Sequence, residues 1–337
     1  MIFNTYFQKV YNKKNLSLLE ARNAFEIIMS GKASNIEIAA FLVALSYKGV
    51  SENELLSAVK VLRSKSLKIN TQENVIDTCG TGGDKKNTLN ISTATAILAS
   101  ACNIKIAKHG NKSVSSKSGS SEVLEKLGVN INTPIKNSEK LLKNINLCFL
   151  MAPLYHKAMK NVAEVRKILK IPTIFNILGP LLNPAEAKLQ LIGVYSKSWM
   201  LPIAKCLKSL NVKKAWVVHG QDGLDEITTT TKTDVIEVTN KKIRKFQINP
   251  IKLNLRKAQL ENIKGKTALY NATQIKLLFE NKNKNIYFEE IVLLNTAAVL
   301  VISDKCSSLK DGIILAKKHL YNGDALKKLM DLKVQSK

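Results

Sequence analysis

Residues 75–93 read VIDTCGTGGDKKNTLNIST and combine an apolar run, a glycine-rich turn and the polar start of a helix. The apolar run at 75–78 has the length and composition of a buried strand. The three glycines that follow let backbone amides approach an anion closely, and Asp84 adds a carboxylate able to hold a metal. Because ligands bind at the carboxyl ends of strands in an open α/β sheet, this turn is the first candidate site.

Four later apolar runs repeat the pattern and alternate with helix-like stretches. The runs span 104–107, 147–151, 189–195 and 215–218, and helix-like stretches span 93–102 and 122–127. Alternating strands and helices are typical of a mainly parallel sheet with helices on its faces. The sequence therefore predicts an α/β fold with a central, mainly parallel sheet flanked by helices.

The first 65 residues lack this alternation and carry helix-start signals instead. Three Ser-x-x-Glu capping boxes open apolar-periodic segments: Ser17 with Glu20, Ser34 with Glu37, and Ser51 with Glu54. We expect a small all-helical N-terminal domain over 1–70, joined by helices from about 160–186, and a larger α/β domain over 71–337.

The chain carries a net charge of +26, from 52 Lys and Arg against 26 Asp and Glu. The lysines are spread along the chain, which favours lysines scattered over a solvated surface and not a site for nucleic acid. A positive field would also concentrate an anionic substrate. Five cysteines without a CxxC pair indicate reduced thiols. Because the sequence has no apolar run of about 18 residues and no signal-peptide core, we expect a cytoplasmic protein with no membrane partner.

A second polar loop follows the predicted strand at 104–107. Residues 108–120 read KHGNKSVSSKSGS, with three lysines, five serines and two glycines. A solvated surface loop would explain the polarity but not the position between a strand and a helix, where ligand loops lie. The first loop, 79–84, is neither a Walker A motif nor a spaced GxGxxG turn, and a tight turn without a ligand remains an open alternative for it.

Residues 79–84, 90–93 and 108–128 closely resemble the phosphoribosyl pyrophosphate loops of anthranilate phosphoribosyltransferases. Two positions depart from that family, Lys170 where glycine is common and Pro172 where arginine is frequent, and both put the local backbone shape in question. The resemblance extends through nearly the whole chain, with MAP at 151–153, VR at 165–166, TIFNILGPLLNPA at 173–185, HGQDGLDE at 219–226, LNTAA at 294–298 and SLKDG at 308–312.

The resemblance implies an enzyme of tryptophan biosynthesis that joins anthranilate to the ribose carbon of phosphoribosyl pyrophosphate and releases pyrophosphate. It also implies magnesium, as two ions, and a homodimer formed through the helical domain. For phosphoribosyl pyrophosphate it suggests Gly80, Thr81, Gly82, Gly83, Asp84, Thr88, Asn90, Ser92, Thr93, Lys108, Ser116 and Ser120. For anthranilate it suggests Gly80, His109, Asn111, His156 and Arg166, and for the metal Ser92, Asp225 and Glu226.

The chemistry of such a reaction suits these residue types. Magnesium prefers oxygen ligands such as the adjacent carboxylates of Asp225 and Glu226, and acts as a Lewis acid on pyrophosphate oxygens. Arginine binds a carboxylate through two parallel hydrogen bonds, which favours Arg166 for anthranilate, although a lone helical arginine is more often a surface residue. Because the amine of anthranilate is neutral at pH 7, we assign no general base and expect placement and leaving-group stabilisation to supply most of the rate.

Two other functions compete with this interpretation. A pyrimidine nucleoside phosphorylase of the same structural class would use similar glycine- and serine-rich phosphate loops, but the segments 108–111 and 222–226 favour the transferase. A catalytically inactive relative that binds nucleic acid would suit the charge of +26. Such a relative should have degraded substrate loops, whereas these loops are intact.

Overall fold

The computed structural model describes residues 2–71, 74–112 and 118–337. It begins with a bundle of four helices, α1 (Ile2–Tyr11), α2 (Leu18–Met29), α3 (Asn35–Lys48) and α4 (Glu52–Ser64). The three predicted capping boxes are confirmed, since each serine accepts from the backbone N–H three residues on and each glutamate accepts from the serine N–H. Local sequence thus determines where α2, α3 and α4 begin.

A seven-stranded sheet forms the centre of the larger part of the chain, with strand order β3-β2-β1-β4-β5-β6-β7. The first five strands in this order are parallel, and β6 and β7 are antiparallel to their neighbours. The predicted mainly parallel sheet is therefore confirmed, and the antiparallel edge is an addition to it. The strands are β1 (Ile76–Thr78), β2 (Ile106–Gly110), β3 (Leu147–Met151), β4 (Leu189–Gly193), β5 (Lys214–Gly220), β6 (Thr233–Thr239) and β7 (Ile243–Ile248).

Helices cover both faces of the sheet, which is how a parallel sheet buries its apolar side chains. The helix α12 is buried along nearly its whole length and packs between α5 and α13. None of the helices in the described part of the chain is long and apolar enough to cross a bilayer. After the bundle the helices are α5 (Ile91–Ala101), α6 (Ser120–Lys126), α7 (Ile135–Ile145), α8 (Ala152–Tyr155), α9 (Lys160–Leu169), α10 (Met200–Ser209), α11 (Ala268–Phe279), α12 (Ile286–Ile302), α13 (Leu309–Tyr321) and α14 (Asp324–Gln335).

Two apolar cores lie on opposite faces of the sheet because successive side chains of a strand point in opposite directions. In β5, Trp216 belongs to one core with α5 and α12, and Val217 belongs to the other with the N-terminal bundle. The helix α9 packs against α2 and α3. The division of the chain at residue 70, with helices from about 160–186 joining the bundle, stays a prediction that these contacts support.

Lys170 ends α9 in the left-handed region, with φ 51° and ψ 23°. A residue with a Cβ is strained there by about 1 kcal/mol, whereas glycine is not. We expect Lys170→Gly to raise the free energy of unfolding by about 1 kcal/mol in urea denaturation. Lys167→Gly, in the interior of the same helix, should lower it by about the same amount. Shifts of the same sign in both variants would contradict this explanation.

Candidate functional site

The glycine turn after β1 wraps around the carboxylate of Asp225. Gly82 has φ 65°, and its N–H donates to Asp225 Oδ2 at 2.7 Å. The N–H of Thr81 donates to Gly193 O at 2.9 Å, which holds the turn against the end of β4. A Cβ on Gly80 would lie 3.1 Å from Asp225 Cγ, and closer still to Oδ2. Glycine is therefore needed at position 80 for the turn to approach the carboxylate.

Three carboxyl groups, Asp84, Asp225 and Glu226, converge beside this turn. Removal from water, with the nearby charge of Asp84, raises the pKa of Asp225 to about 7. Removal from water and the charge of Asp225 raise the pKa of Glu226 to about 8, and burial also raises the pKa of Asp84. Carboxylates this close repel one another unless a cation lies between them. These oxygen donors suit a hard divalent cation such as magnesium.

Polar side chains hold the backbone of the loop that carries Asp225 and Glu226. Asn295 on α12 accepts from the N–H of Ile227 at 3.1 Å and donates to its carbonyl at 2.8 Å. Asp222 accepts from the N–H of Leu224 at 3.1 Å and from the hydroxyl of Thr228 at 2.7 Å. Asn295 lies in the segment LNTAA that resembles the family, but the sequence alone assigns it no role. Its contacts fix the residue that directly follows Glu226.

Lys108 is buried in β2, and its ammonium group lies at the start of α5. Its Nζ donates to Thr78 O at 2.5 Å and lies 3.3 Å from Ser92 Oγ. An ammonium group has three donors, and the described residues take two of them, which leaves one for an anion. Ser92 and Thr93 are in the first turn of α5, where the helix dipole adds positive potential. The N–H of Ser92 donates to Glu226, and the buried Thr93 hydroxyl has no hydrogen-bond partner within the described ranges. This end of the helix is suited to phosphate.

Three further predicted phosphate ligands, Thr88, Asn90 and Ser120, lie on the same rim of the sheet. Asn90 precedes α5 as its N-cap residue, and Thr88 pairs with Lys264 in an antiparallel bridge. Ser120 is the first residue of α6 and lies directly against Gly110, where a side chain would collide with its hydroxyl. Ser116 lies outside the described residues.

Two predicted anthranilate residues, His109 and His156, contact each other in the interior. Their Nε2 atoms are 3.3 Å apart, and His109 Nδ1 lies 3.1 Å from Gly179 O. A carbonyl oxygen only accepts, so we assign the proton of His109 to Nδ1. Burial lowers the pKa of His109 to about 3 and that of His156 to about 4, so both rings are neutral at pH 7. Asn111 lies apart from them in an exposed position, and its side chain accepts from the N–H of Lys112 at 2.8 Å.

Arg166, the other predicted anthranilate residue, is half-buried on α9. Its guanidinium lies over the ring of Phe175, 5.7 Å from the centroid. Burial lowers its pKa, and no carboxylate of the described chain forms an ion pair with it. A guanidinium that is shielded from water but unpaired is well suited to the carboxylate of a ligand.

A second group of potential metal ligands lies nearby, in which Asp77, Cys79 and His109 have ligand atoms within 4.8 Å of one another. Asp77 already accepts from the N–H of His109 at 3.1 Å. Burial raises the pKa of the Cys79 thiol, so the sulfur is a neutral thiol at pH 7. These donors therefore do not suit magnesium, which takes hard oxygen ligands.

The acidic cluster makes the stability of the metal-free protein depend on pH. The folded-state pKa values of Asp225 and Glu226, about 7 and about 8, exceed the ordinary values of 3.8 and 4.5. Stability that is present below pH 4 is therefore lost as pH rises through 8, because the folded state must release protons that the unfolded state has already lost. We expect the Tm without metal to fall by several degrees between pH 7 and 8.5. Added Mg²⁺ should reverse the fall at pH 8.5, and a Tm unchanged by either pH or Mg²⁺ would contradict the expectation.

Comparisons with known proteins match the chain along nearly its whole length. Residues 4–66 match the helical bundle domain of the glycosyl transferase family, and residues 72–326 match its α/β domain. The chain is 45% identical to an anthranilate phosphoribosyltransferase of Petrotoga mobilis, over 98% of this chain and 96% of that relative. It is 44% identical to one of Pelagibacter ubique, over 97% of this chain and 98% of that relative.

Solved structures of two similar enzymes superpose on nearly the whole chain. The anthranilate phosphoribosyltransferase of Thermus thermophilus has a TM-score of 0.91 and 33% identity, covering 98% of this chain and 99% of that one. The enzyme of Saccharomyces cerevisiae in complex with phosphoribosyl pyrophosphate and Mg has a TM-score of 0.92 and 29% identity, covering 99% of this chain and 97% of that one. The same yeast enzyme has also been solved with 4-fluoroanthranilate.

Proposed function

Since this chain belongs to the anthranilate phosphoribosyltransferases of the glycosyl transferase family, we propose which of its residues bind each substrate and the metal. The enzyme transfers the phosphoribosyl group to the amine of anthranilate and releases pyrophosphate. The proposal rests on one observation above all: three carboxyl groups lie beside the glycine turn of 80–83, close to a buried lysine at the start of α5.

Phosphoribosyl pyrophosphate binds in this proposal along the rim formed by the ends of β1 and β2. The backbone amides of the glycine turn and of the first turn of α5 donate to phosphate oxygens, and Lys108 supplies a point charge. Asp84 helps to orient the ribose or the pyrophosphate. The hydroxyl and amide ligands are Thr81, Thr88, Asn90, Ser92, Thr93, Ser116 and Ser120.

Magnesium binds in this proposal at the acidic cluster. Asp225 and Glu226 hold one ion, and Ser92 supplies an oxygen for a second. When bound, magnesium neutralises the charge that develops on the departing pyrophosphate. The raised pKa values of the two carboxyl groups support this assignment, because a cation would allow both to ionise at pH 7.

Anthranilate binds in this proposal with its carboxylate on Arg166 and its ring beside His109, His156 and the Gly80 turn, with Asn111 at the outer end of the site. The two histidines are neutral and already hydrogen-bonded to each other or to backbone, so they shape the pocket and do not remove a proton. The enzyme accelerates the reaction by holding the neutral amine against the ribose carbon and by stabilising the leaving group.

We also propose that the enzyme works in the cytoplasm as a homodimer, formed through the helical domain. The helix α3 carries exposed apolar side chains on its outer surface: Ile36 is 83% exposed, Val43 42% and Tyr47 76%, with Lys13 Nζ 4.8 Å from the Tyr47 ring centroid. Exposed apolar groups spaced along one helix are typical of a protein interface. Sedimentation of the wild type and of Tyr47→Glu tests this, since a dimer formed elsewhere would not respond to the substitution.

A fluorescence assay tests the activity and the metal together. We expect anthranilate fluorescence to decrease only when phosphoribosyl pyrophosphate and Mg²⁺ are both present, and excess chelator to stop the decrease. Full activity in chelator would refute the metal assignment while leaving the reaction intact. Phosphorolysis of thymidine or uridine without any loss of anthranilate would instead support the nucleoside phosphorylase alternative.

A further inference from the structure

A buried asparagine outside the family-like sequence motifs connects the two phosphate loops. Asn271 lies on α11 with its side chain fully removed from solvent. Its Nδ2 donates to Asn90 Oδ1 at 2.8 Å and to Ser118 Oγ at 2.8 Å, and Ser118 Oγ lies 3.3 Å from Asn90 Oδ1. One side chain thus contacts the residue that precedes α5 and the loop that precedes α6.

These bonds fix which end of the Asn90 amide faces the substrate. The N–H of Lys266 donates to Asn271 Oδ1 at 2.9 Å, and a backbone N–H is only ever a donor, so Asn271 must present its Nδ2 to Asn90. Asn90 must then accept this hydrogen bond through its Oδ1. Its own Nδ2 points the other way, and no hydrogen bond from the described residues occupies that group.

The backbone just before α11, at residues 263–265, is hydrogen-bonded to residues 87–89. Leu89 N–H donates to Ile263 O at 2.9 Å, and Gly265 N–H donates to Asn87 O at 2.7 Å. A Cβ on Gly265 would collide with Thr88 O and would lie 2.8 Å from Asn271 Nδ2. The backbone therefore sets the distance between Asn271 and Asn90, and the pair cannot separate without breaking these bonds.

We propose that Asn271 is a positioning residue for phosphoribosyl pyrophosphate: it turns the Asn90 amide so that Nδ2 donates to an oxygen of the substrate. The inference rests on the proposed binding of this substrate along 80–93. Reversing the amide would present an oxygen to a polyanion, which repels where the donor attracts. Anthranilate binds elsewhere, so its recognition does not depend on Asn271.

Asn271→Asp is the sharpest test because it keeps the volume and the bond from Lys266 N–H but replaces the donor with an acceptor. We expect this variant and Asn271→Ala to raise the KM for phosphoribosyl pyrophosphate by roughly ten- to a hundredfold, with the aspartate the more severe. The KM for anthranilate should stay within about twofold. Calorimetric titration of each variant protein with phosphoribosyl pyrophosphate, in the presence of Mg²⁺, should give a matching loss of affinity.

A double-mutant cycle with Asn90→Ala separates orientation from general loosening of the fold. If Asn271 acts through Asn90, substituting it in the Asn90→Ala background should change the KM no further. Asn285→Ala is the matched control, because Asn285 also makes two side-chain hydrogen bonds, to Asn262 O and from Phe288 N–H, without contacting Asn90. It should lower the Tm and leave the KM for phosphoribosyl pyrophosphate unchanged.

Additive effects of the two substitutions, or equal increases in both KM values, would overturn the positioning role. A wild-type protein that does not bind phosphoribosyl pyrophosphate would instead overturn the proposed function itself, so the two failures are distinguishable. If Asn271→Ala does not fold, the aspartate variant alone completes the cycle.

Discussion

Replacing Asp225 by asparagine and Glu226 by glutamine is expected to lower kcat by about a thousandfold or more while the protein stays folded. The two carboxylates are the charged groups of the proposed metal site, and amides of the same shape retain the packing but not the charge. In the folded wild type, both carboxyl groups release their protons only at a cost in free energy. The amides of the double variant have no such protons, so the fall in Tm between pH 7 and 8.5 should disappear.

Rates measured across a range of Mg²⁺ concentrations check this expectation. Asp304→Asn is a suitable control, since Asp304 is an exposed carboxylate that pairs with Lys214 far from the rim, and its loss should leave kcat unchanged. A double variant that keeps a normal rate with normal Mg²⁺ dependence would show that the metal binds elsewhere.

Arg166→Ala is expected to raise the KM for anthranilate by about a hundredfold and to change the KM for phosphoribosyl pyrophosphate by less than about threefold. The guanidinium is shielded from water and lies over Phe175 without a carboxylate partner in the described chain, so its binding capacity is unused until a ligand arrives. Arg166→Lys should recover only part of the loss, because an ammonium group cannot form the two parallel bonds of a guanidinium.

Two controls make the assignment of Arg166 specific. Arg22→Ala removes an exposed arginine from α2 and should leave both KM values unchanged. A substrate analogue without the carboxylate should bind the wild type and Arg166→Ala equally. Equal increases of both KM values in Arg166→Ala would instead indicate a structural role for the side chain.

Much of the fold could be predicted from the sequence because its signals are local. The capping boxes that open α2, α3 and α4 involve residues three positions apart, and the buried parallel strands are short continuous apolar runs. The strands β6 and β7 were missed for a physical reason. The edge strand β7 is largely open to water, so it carries few apolar residues. In β6, TDVIEVT, Glu237 interrupts the apolar run although it is buried, because it accepts from Trp216 Nε1 of β5 at 2.9 Å, and a partner in another strand cannot be read from the local pattern.

The candidate site could be predicted only where its residues lie in recognisable sequence motifs. Asn271 and Asn295 lie on helices far along the chain, and their partners, Asn90 and Ile227, are 181 and 68 positions away. A usable signal did exist: each asparagine interrupts the apolar face of its helix, where a polar group must find a partner. Which partner it finds depends on how the helices pack on the sheet, and the sequence alone does not contain that geometry in readable form.

The two apolar cores determine how cooperatively the protein unfolds. Strands β4, β5 and β6 contribute alternate side chains to both, and Ile192, Val217 and Ile236 belong to the same continuous cluster as the interior of the N-terminal bundle. Melting the bundle alone would expose that face of the sheet to water. Calorimetric unfolding should therefore be a single cooperative transition, in which the helices and the rim that binds substrate are lost together.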